Sequence, residues 1–302
     1  FVITARGGSF PVAKIALQEL TPLNLATIRF TVASLFFIPV VFFVRRRQGE
    51  PGIPLPSGPD LLRLNVLAWL GVTIHFLLQY NAVARTTASN AGLLIVISPL
   101  FVALISSLWL KQPFTWRQLA GILLASFGVL MVISRGTFQF SVGTQTLLGD
   151  LIMVLDAFLW ALFSVCGREM MRRLSPLTTT FYTTILGTLW FYPLAIPSGL
   201  WVQVVSLSFT GWLAVIFLGV ICSVGGYYFW YWALSQVEAS KVAPFQYLQP
   251  MVSLALSALL LNERILPVLF VGGAVPIIAG LILATRPASK TKRVYHRNQK
   301  TV

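Results

Sequence analysis

Apolar runs of about 20 residues follow one another along the whole chain, parted by short polar connections, and this leaves few ways to fold. A run of that length, wound as a helix, crosses the hydrocarbon of a bilayer. Inside that layer only helices and closed barrels satisfy their own backbone groups. Ten spans are predicted, at about residues 1–18, 22–44, 63–84, 88–110, 116–134, 147–168, 176–197, 209–235, 240–261 and 265–285. Composition agrees, since only 10% of the residues are charged where a soluble domain carries about 25%. The expected fold class is therefore an all-α polytopic membrane protein with ten transmembrane helices.

The net charge of +14 would point to nucleic acid in a soluble protein. Here the basic residues lie between the apolar runs and in the tail, so the positive-inside bias accounts for them and no nucleic-acid partner is expected. Sorting the loops of a ten-span chain by side places sixteen Lys and Arg on one face, among them Arg45, Arg46, Arg47, Arg173 and Lys241. The other face receives three, Arg85, Arg135 and Arg264. Both termini are thus expected in the cytoplasm, with residues 286–302 forming a basic tail against anionic headgroups. The chain starts at Phe1 inside an apolar run without a cleavable signal peptide, so the first helix is expected to target it, with some residues upstream. Cys166 and Cys222 lie within apolar runs and read as small buried hydrophobes, with neither a disulfide framework nor a metal spacing.

Sliding the chain against itself by 151 residues lays Tyr80 over Tyr231, Ser89 over Ser240, Pro99 over Pro250 and Gly121 over Gly272. At an offset of 154, Lys14 and Pro22 lie over Arg168 and Pro176. Two repeats are predicted, 1–137 and 147–285, of five helices each. An odd number forces the second copy into the bilayer upside down, the inverted arrangement in which transporters hold substrate at the repeat interface near the midplane.

The segments "GGSFPVAKIALQELTPLNLATIRF" and "ASNAGLLIVISPLFVALISSLWLKQPFTWRQLAGILLASFGVLMV" in the first copy resemble the EamA module of the drug/metabolite transporter superfamily. So do "ALSQVEAS...P...LSALLLNER" and "GGAVPIIAGLILA" in the second. The first copy departs from the pattern at Lys111-Gln112-Pro113, where the second keeps Asn262-Glu263-Arg264; Glu263 reads as a helix-end contact. The resemblance implies a ten-helix carrier in the inner membrane of a bacterium that exports small metabolites, with aromatic or neutral amino acids as the best-known cargo.

Candidate site residues come from polar groups recurring at helical spacing inside apolar runs, where facing lipid is costly. The ninth run carries Gln246, Gln249, Pro250, Ser253 and Ser257 on one face, and the fourth carries Asn90, Ser98 and Ser106 beside Pro99. The third offers His75, Gln79 and Tyr80, the sixth Asp156 and Trp160 with Ser164, and the eighth Tyr227 and Tyr231. Each serine taken singly reads as close packing with a backbone hydrogen bond. Gln246 and Gln249 read as cavity-facing, because an amide needs several partners. Pro99 and Pro250, with Gly225 and Gly226, read as hinge or packing positions. Lys14 and Arg29 either snorkel to the headgroups or bind a substrate carboxylate. Asp156 either pairs with one of them or carries a proton or recognises an amino group; His75 reads as an uncharged, hydrogen-bonded imidazole.

There is no nucleophile–His–Asp set, metal spacing or phosphate loop, so no enzyme activity, cofactor or metal is expected, and transport must run on a gradient. The expected partners are a small-molecule substrate and the lipid bilayer, and the oligomeric state stays open, a monomer included. The rival readings are a multidrug or lipophilic-cation exporter, a sugar-phosphate-type carrier, and a non-transporting membrane protein.

Overall fold

The structure, a computed structural model, describes residues 2–49, 53, 55–109, 116–133, 145–226, 229, 249–263, 267 and 269–285. Those residues are all helix and connection, without a strand among them. In chain order they form α1 (Val2–Ala16), α2 (Pro22–Arg47), α3 (Gly58–Arg85), α4 (88–109), α5 (Trp116–Ile133) and α6 (Gln145–Arg173). The second part holds α7 (Pro176–Ala195), α8 (Leu200–Ser206), α9 (Phe209–Gly225), α10 (Gln249–Leu261) and α11 (269–285). The helix α2, α3 and the Gln145–Gly167 part of α6 are each long and apolar enough to cross a membrane. A fourth span results if α7 and α8, bent by 101° at their break, count as one. Against the ten runs of the sequence, three or four spans are therefore clear by length and composition among the described residues.

The starts of the helices follow from local chemistry. Thr21, Ser57, Thr87, Ser175 and Ser208 each cap a helix, their side-chain oxygens accepting from the backbone N–H three residues on. A capping hydroxyl satisfies one of the donors a helix start leaves over. Pro follows in the first turn of α2, α3 and α7, where its missing N–H costs nothing. The short helix α8 was not expected from the sequence. It exposes Trp201, Val202 and Val205, and Gln203 turns inward to accept from the Thr21 N–H and the Asn24 side chain at 3.0 and 2.9 Å.

Packing follows a regular scheme. Helix α1 packs on α9 and α10, and α6 packs on α3 and α4. Likewise α2 packs on α9, and α7 packs on α3. Three pairs close the set: α2 with α7, α4 with α10, and α5 with α11. Small residues and hydroxyls make these contacts, as lipid offers helices no hydrophobic drive to associate. In α5 and α11 a Cβ built on Gly280 would lie 2.4 Å from the Gly121 carbonyl, and one on Gly128 would lie 2.8 Å from the Gly273 carbonyl. Between α2 and α7, Thr188 donates to the Phe30 carbonyl at 3.2 Å, and the Thr31 and Tyr192 hydroxyls lie 2.8 Å apart.

Both α3 and α9 widen into π-helical turns, at Trp69–Ile74 and Phe217–Gly225. These breaks fall at matching positions under the 151-residue offset. Such bulges frequently sit at functional sites, and here they lie next to the polar residues at the centre of the molecule.

Candidate functional site

The helix α3 leaves its π turn at His75, and two faces of the following turns carry the site. On the first face, His75 and Gln79, one turn apart, meet Asp156 of α6. The His75 Nδ1 lies 2.6 Å from Asp156 Oδ1, and Gln79 Nε2 donates to Oδ2 at 3.3 Å. Asp156 is wholly buried and His75 nearly so. Trp160, one turn along α6, tilts against the imidazole with ring centres 5.1 Å apart, and the Arg6 guanidinium of α1 lies 5.1 Å over that indole. The sequence spacing i, i+4 on both helices brings these four predicted residues together. Ser164, the next in that series, donates to the Trp160 carbonyl of its own helix and serves packing.

On the second face, Phe76 and Tyr80 meet Arg29 of α2. The guanidinium donates to the Tyr80 hydroxyl, and its Nε donates to Ser223 Oγ at 3.0 Å. It lies 4.6 Å over the Phe76 ring and 5.2 Å over that of Phe30. Arg29 is buried, so it does not snorkel. An aromatic box and two hydroxyls replace water around it, and a guanidinium is suited to both kinds of contact. The expected alternative of an Asp156 pair with Arg29 or Lys14 is not what forms. Arg29 approaches α3 on the Phe76–Tyr80 face, while α6 approaches on the His75–Gln79 face, and Asp156 takes its partners there.

Lys14 is used at a helix end. Its ammonium donates to the Val83 and Thr86 carbonyls, both at 2.6 Å, and to that of Ala84 at 3.3 Å. These are carbonyls at and just beyond the end of α3, which a cation there favours. Nearby, Thr86 donates to Asp150, whose carboxylate also accepts from the Asn90 amide at 3.4 and 3.3 Å. Glu263 accepts from the Ala88 and Ser89 N–H groups and from the Ser89 hydroxyl, at 2.9, 3.1 and 2.6 Å, the helix-end role read from the sequence. Its counterpart at another helix start is Glu19, which accepts from the Ser208 N–H and hydroxyl at 2.7 and 2.6 Å.

The remaining predicted residues are distributed as follows. Gln249 is half-buried at the start of α10, where its carbonyl stands 2.8 Å from a Cβ built on Gly7 of α1. Ser253 is buried against Gly92 and donates to the Ala88 carbonyl at 3.3 Å, so it serves packing. Ser98 is buried in α4. Among the described residues, a Cβ on Gly226 would meet nothing nearer than the Ile221 carbonyl, at an ordinary contact distance of 3.7 Å. Pro99 and Pro250 lie in α4 and α10, with side chains outside the described residues, and Tyr227, Tyr231, Gln246 and the 286–302 tail also lie outside them. Arg6, Phe30, Phe76 and Ser223 were missed. The signal for Arg6 was present, a charge within an apolar run; Ser223 becomes visible only once α9 is packed beside α2.

A helical chain with long apolar spans and buried charges at its centre is a polytopic membrane protein of the carrier type. The model of the EamA-like transporter family matches residues 2–134 and again 147–286. The chain belongs to that family and is a transporter. It is 38% identical over 281 residues, 92% of each chain, to an uncharacterized transporter of Archaeoglobus fulgidus. It is 28% identical over 293 residues, covering 93% of this chain and 91% of the other, to a protein of Escherichia coli (strain K12) named "Probable amino-acid metabolite efflux pump". A solved crystal structure superposes with a TM-score of 0.64 over 94% of this chain and 95% of that one, at 19% identity, a likeness of fold alone.

Proposed function

We propose that this transporter exports small zwitterionic metabolites, most readily aromatic or neutral amino acids, by alternating access between two inverted five-helix repeats, 1–137 and 147–285. The observation that carries the substrate reading is the pair of opposite poles on α3. Asp156 with His75 and Gln79 forms an acidic pole, Arg29 with Tyr80 and Ser223 a basic one, and the Phe76 ring stands between them. An amino group is drawn to the first and a carboxylate to the second, while Phe76 and Trp160 offer aromatic surface to an apolar side chain. A site with aromatic walls and a few convergent polar groups suits such a ligand. The relative named for amino-acid metabolite efflux points the same way.

The repeat reading is supported by the exchange of packing partners. Contacts of α1 with α9 and α10 recur as contacts of α6 with α3 and α4, and α2 on α9 recurs as α7 on α3. The two separate matches to the family model agree with two copies. In this reading the repeats rock about the central site, hinged where α3 and α9 open into π turns, and Lys14, Glu263 and Asp150 hold helix ends together on the periplasmic side. Both termini lie in the cytoplasm and the chain works in the inner membrane.

A sugar-phosphate cargo needs Lys14 and Arg29 together at the ligand, and the Lys14 ammonium is taken up by three carbonyls. A lipophilic cation meets Arg6 and Arg29 beside the aromatic groups it would use. Counterflow of labelled phenylalanine, leucine and threonine into proteoliposomes tests the proposal. Exchange of at least one is expected, and no exchange of any neutral or aromatic amino acid would refute it.

A further inference from the structure

Away from the central poles, a groove of about 910 Å³ opens between the second half of α2 and the end of α9. Val40, Phe43, Val224 and Phe229 line it, and Arg47 and Gln48 stand at one end. Its size falls within the range of small-molecule sites, roughly 300–1,000 Å³, and among the described residues its hydrogen-bonding side chains are Arg47 and Gln48. The Arg47 guanidinium lies 4.5 Å over the Phe43 ring, so the cation is held at the mouth of the groove. Arg45 and Arg46 precede it in the same last turn of α2.

The geometry points to a binding site for one anionic phospholipid, with an acyl chain along the groove and its phosphate at Arg47 and Gln48. Charge decides the occupant. An apolar channel with Arg47 at one end complements a molecule that is long and greasy with a negative head. A zwitterionic lipid fills the channel equally well but gains less at the mouth. The chain is a membrane transporter, so such lipids surround it at high concentration, and basic clusters at the ends of spans are where anionic headgroups gather. The floor of the groove gives the site a consequence. Val224 and Gly225 directly follow Ser223, the residue to which Arg29 donates. An acyl chain lying there braces the π turn of α9 against α2 and so fixes one partner of Arg29. This inference needs the membrane setting of the family and not the amino-acid reading.

Titration of the delipidated full-length transporter with dioleoyl-phosphatidylglycerol or dioleoyl-phosphatidylcholine, followed by native mass spectrometry, tests the site. One phosphatidylglycerol is expected to be retained in preference to phosphatidylcholine. Arg47→Gln should weaken phosphatidylglycerol retention about fivefold, the worth of about 1 kcal/mol for one basic residue near a lipid headgroup, and leave phosphatidylcholine unchanged. Val40→Trp, which narrows the groove with a bulky ring, should weaken retention of both at unaltered thermal stability. Equal retention of the two lipids by the unaltered protein would overturn the proposal. So would an unchanged preference in Arg47→Gln, which decides the matter alone if Val40→Trp does not fold. Because binding is read directly, failure here leaves the substrate reading standing, and failure of amino-acid counterflow leaves the lipid site standing.

Discussion

The Nδ1 of His75 and the Oδ1 of Asp156 lie 2.6 Å apart with both residues buried, and Gln79 takes the other carboxylate oxygen. An ionisable group at membrane depth is costly and pairs with what neighbours offer. Removing one partner leaves a buried polar group unsatisfied, at about 1–3 kcal/mol, whereas replacing both partners by apolar groups of the same shape is often neutral or stabilising. His75→Ala should therefore lower the unfolding stability by about that much. The double variant His75→Phe/Asp156→Leu should fold with stability near the parent and yet fail in amino-acid counterflow. Thermal unfolding in detergent beside the transport assay reads both; a double variant that transports normally would remove the acidic pole from the account.

Two glycines on different helices should respond in opposite ways. Gly280→Ala brings its Cβ within 2.4 Å of the Gly121 carbonyl and 2.5 Å of the Ala125 nitrogen, backbone that cannot swing aside. Overpacking of this kind costs about 1–3 kcal/mol, so its melting temperature should fall clearly. For Gly226→Ala the nearest contact among the described residues is an ordinary 3.7 Å, and a Gly→Ala change in unstrained helix stabilises by about 0.4–1 kcal/mol. Its melting temperature should hold or rise while counterflow slows, as expected for a hinge that has been stiffened. A large loss of stability in Gly226→Ala would contradict the absence of a clash there among the described residues.

The turn between α1 and α2 supplies a pH effect with a definite sign. The Ser208 side chain first, and its backbone N–H second, hold the exposed Glu19 carboxyl below its ordinary value. A carboxyl depressed by folding contributes stability above its unfolded value and loses it as pH falls through the folded one. Stability should therefore drop on acidification below the ordinary glutamate range, and Glu19→Gln should flatten that part of the profile. Melting curves across that range check it; identical profiles would show that the cap adds nothing.

Lys14 makes a prediction about the joined helix ends without touching the central poles. Lys14→Met removes three hydrogen bonds to carbonyls at the end of α3, two part-buried and one exposed, each within the ordinary net range of about 0.5–1.5 kcal/mol. Melting should fall by a few degrees, and the apparent affinity for amino acids should stay within about twofold, since none of the three carbonyls belongs to a residue of either pole. A tenfold loss of affinity would place Lys14 at the ligand.

What was readable in the sequence follows the range of the forces involved. Helix positions were legible because apolar length is local, although α3, capped by Ser57, starts at Gly58 and not at the 63 read from its apolar run. The residues of the acidic pole were legible because His75, Gln79, Asp156 and Trp160 keep helical spacing on their own helices, but their pairing was not, since the sequence offered Lys14 or Arg29 as the partner of Asp156. The basic pole was only half visible. Arg29 stood out as a charge in an apolar run, but Ser223 and Phe76 join it through packing of α9 and α3 on α2, which no local pattern encodes. The π turns were hidden for a related reason, since they depend on hydrogen-bond register and not on residue type. The helix α8 was missed because seven residues hold too little periodicity to register.

The central claim is a site with two opposite poles, and binding of three matched ligands tests it most directly. Phenylalanine, phenethylamine and 3-phenylpropionate differ only in which charged group is present. Their affinities can be measured by calorimetry on the purified transporter, on Arg29→Gln and on Asp156→Asn. The account predicts that phenylalanine binds the parent most tightly, that Arg29→Gln weakens phenylalanine and phenylpropionate at least tenfold while sparing phenethylamine, and that Asp156→Asn does the reverse. Equal losses for all three ligands in both variants, or binding of phenylalanine no tighter than of its one-charge analogues, would contradict it.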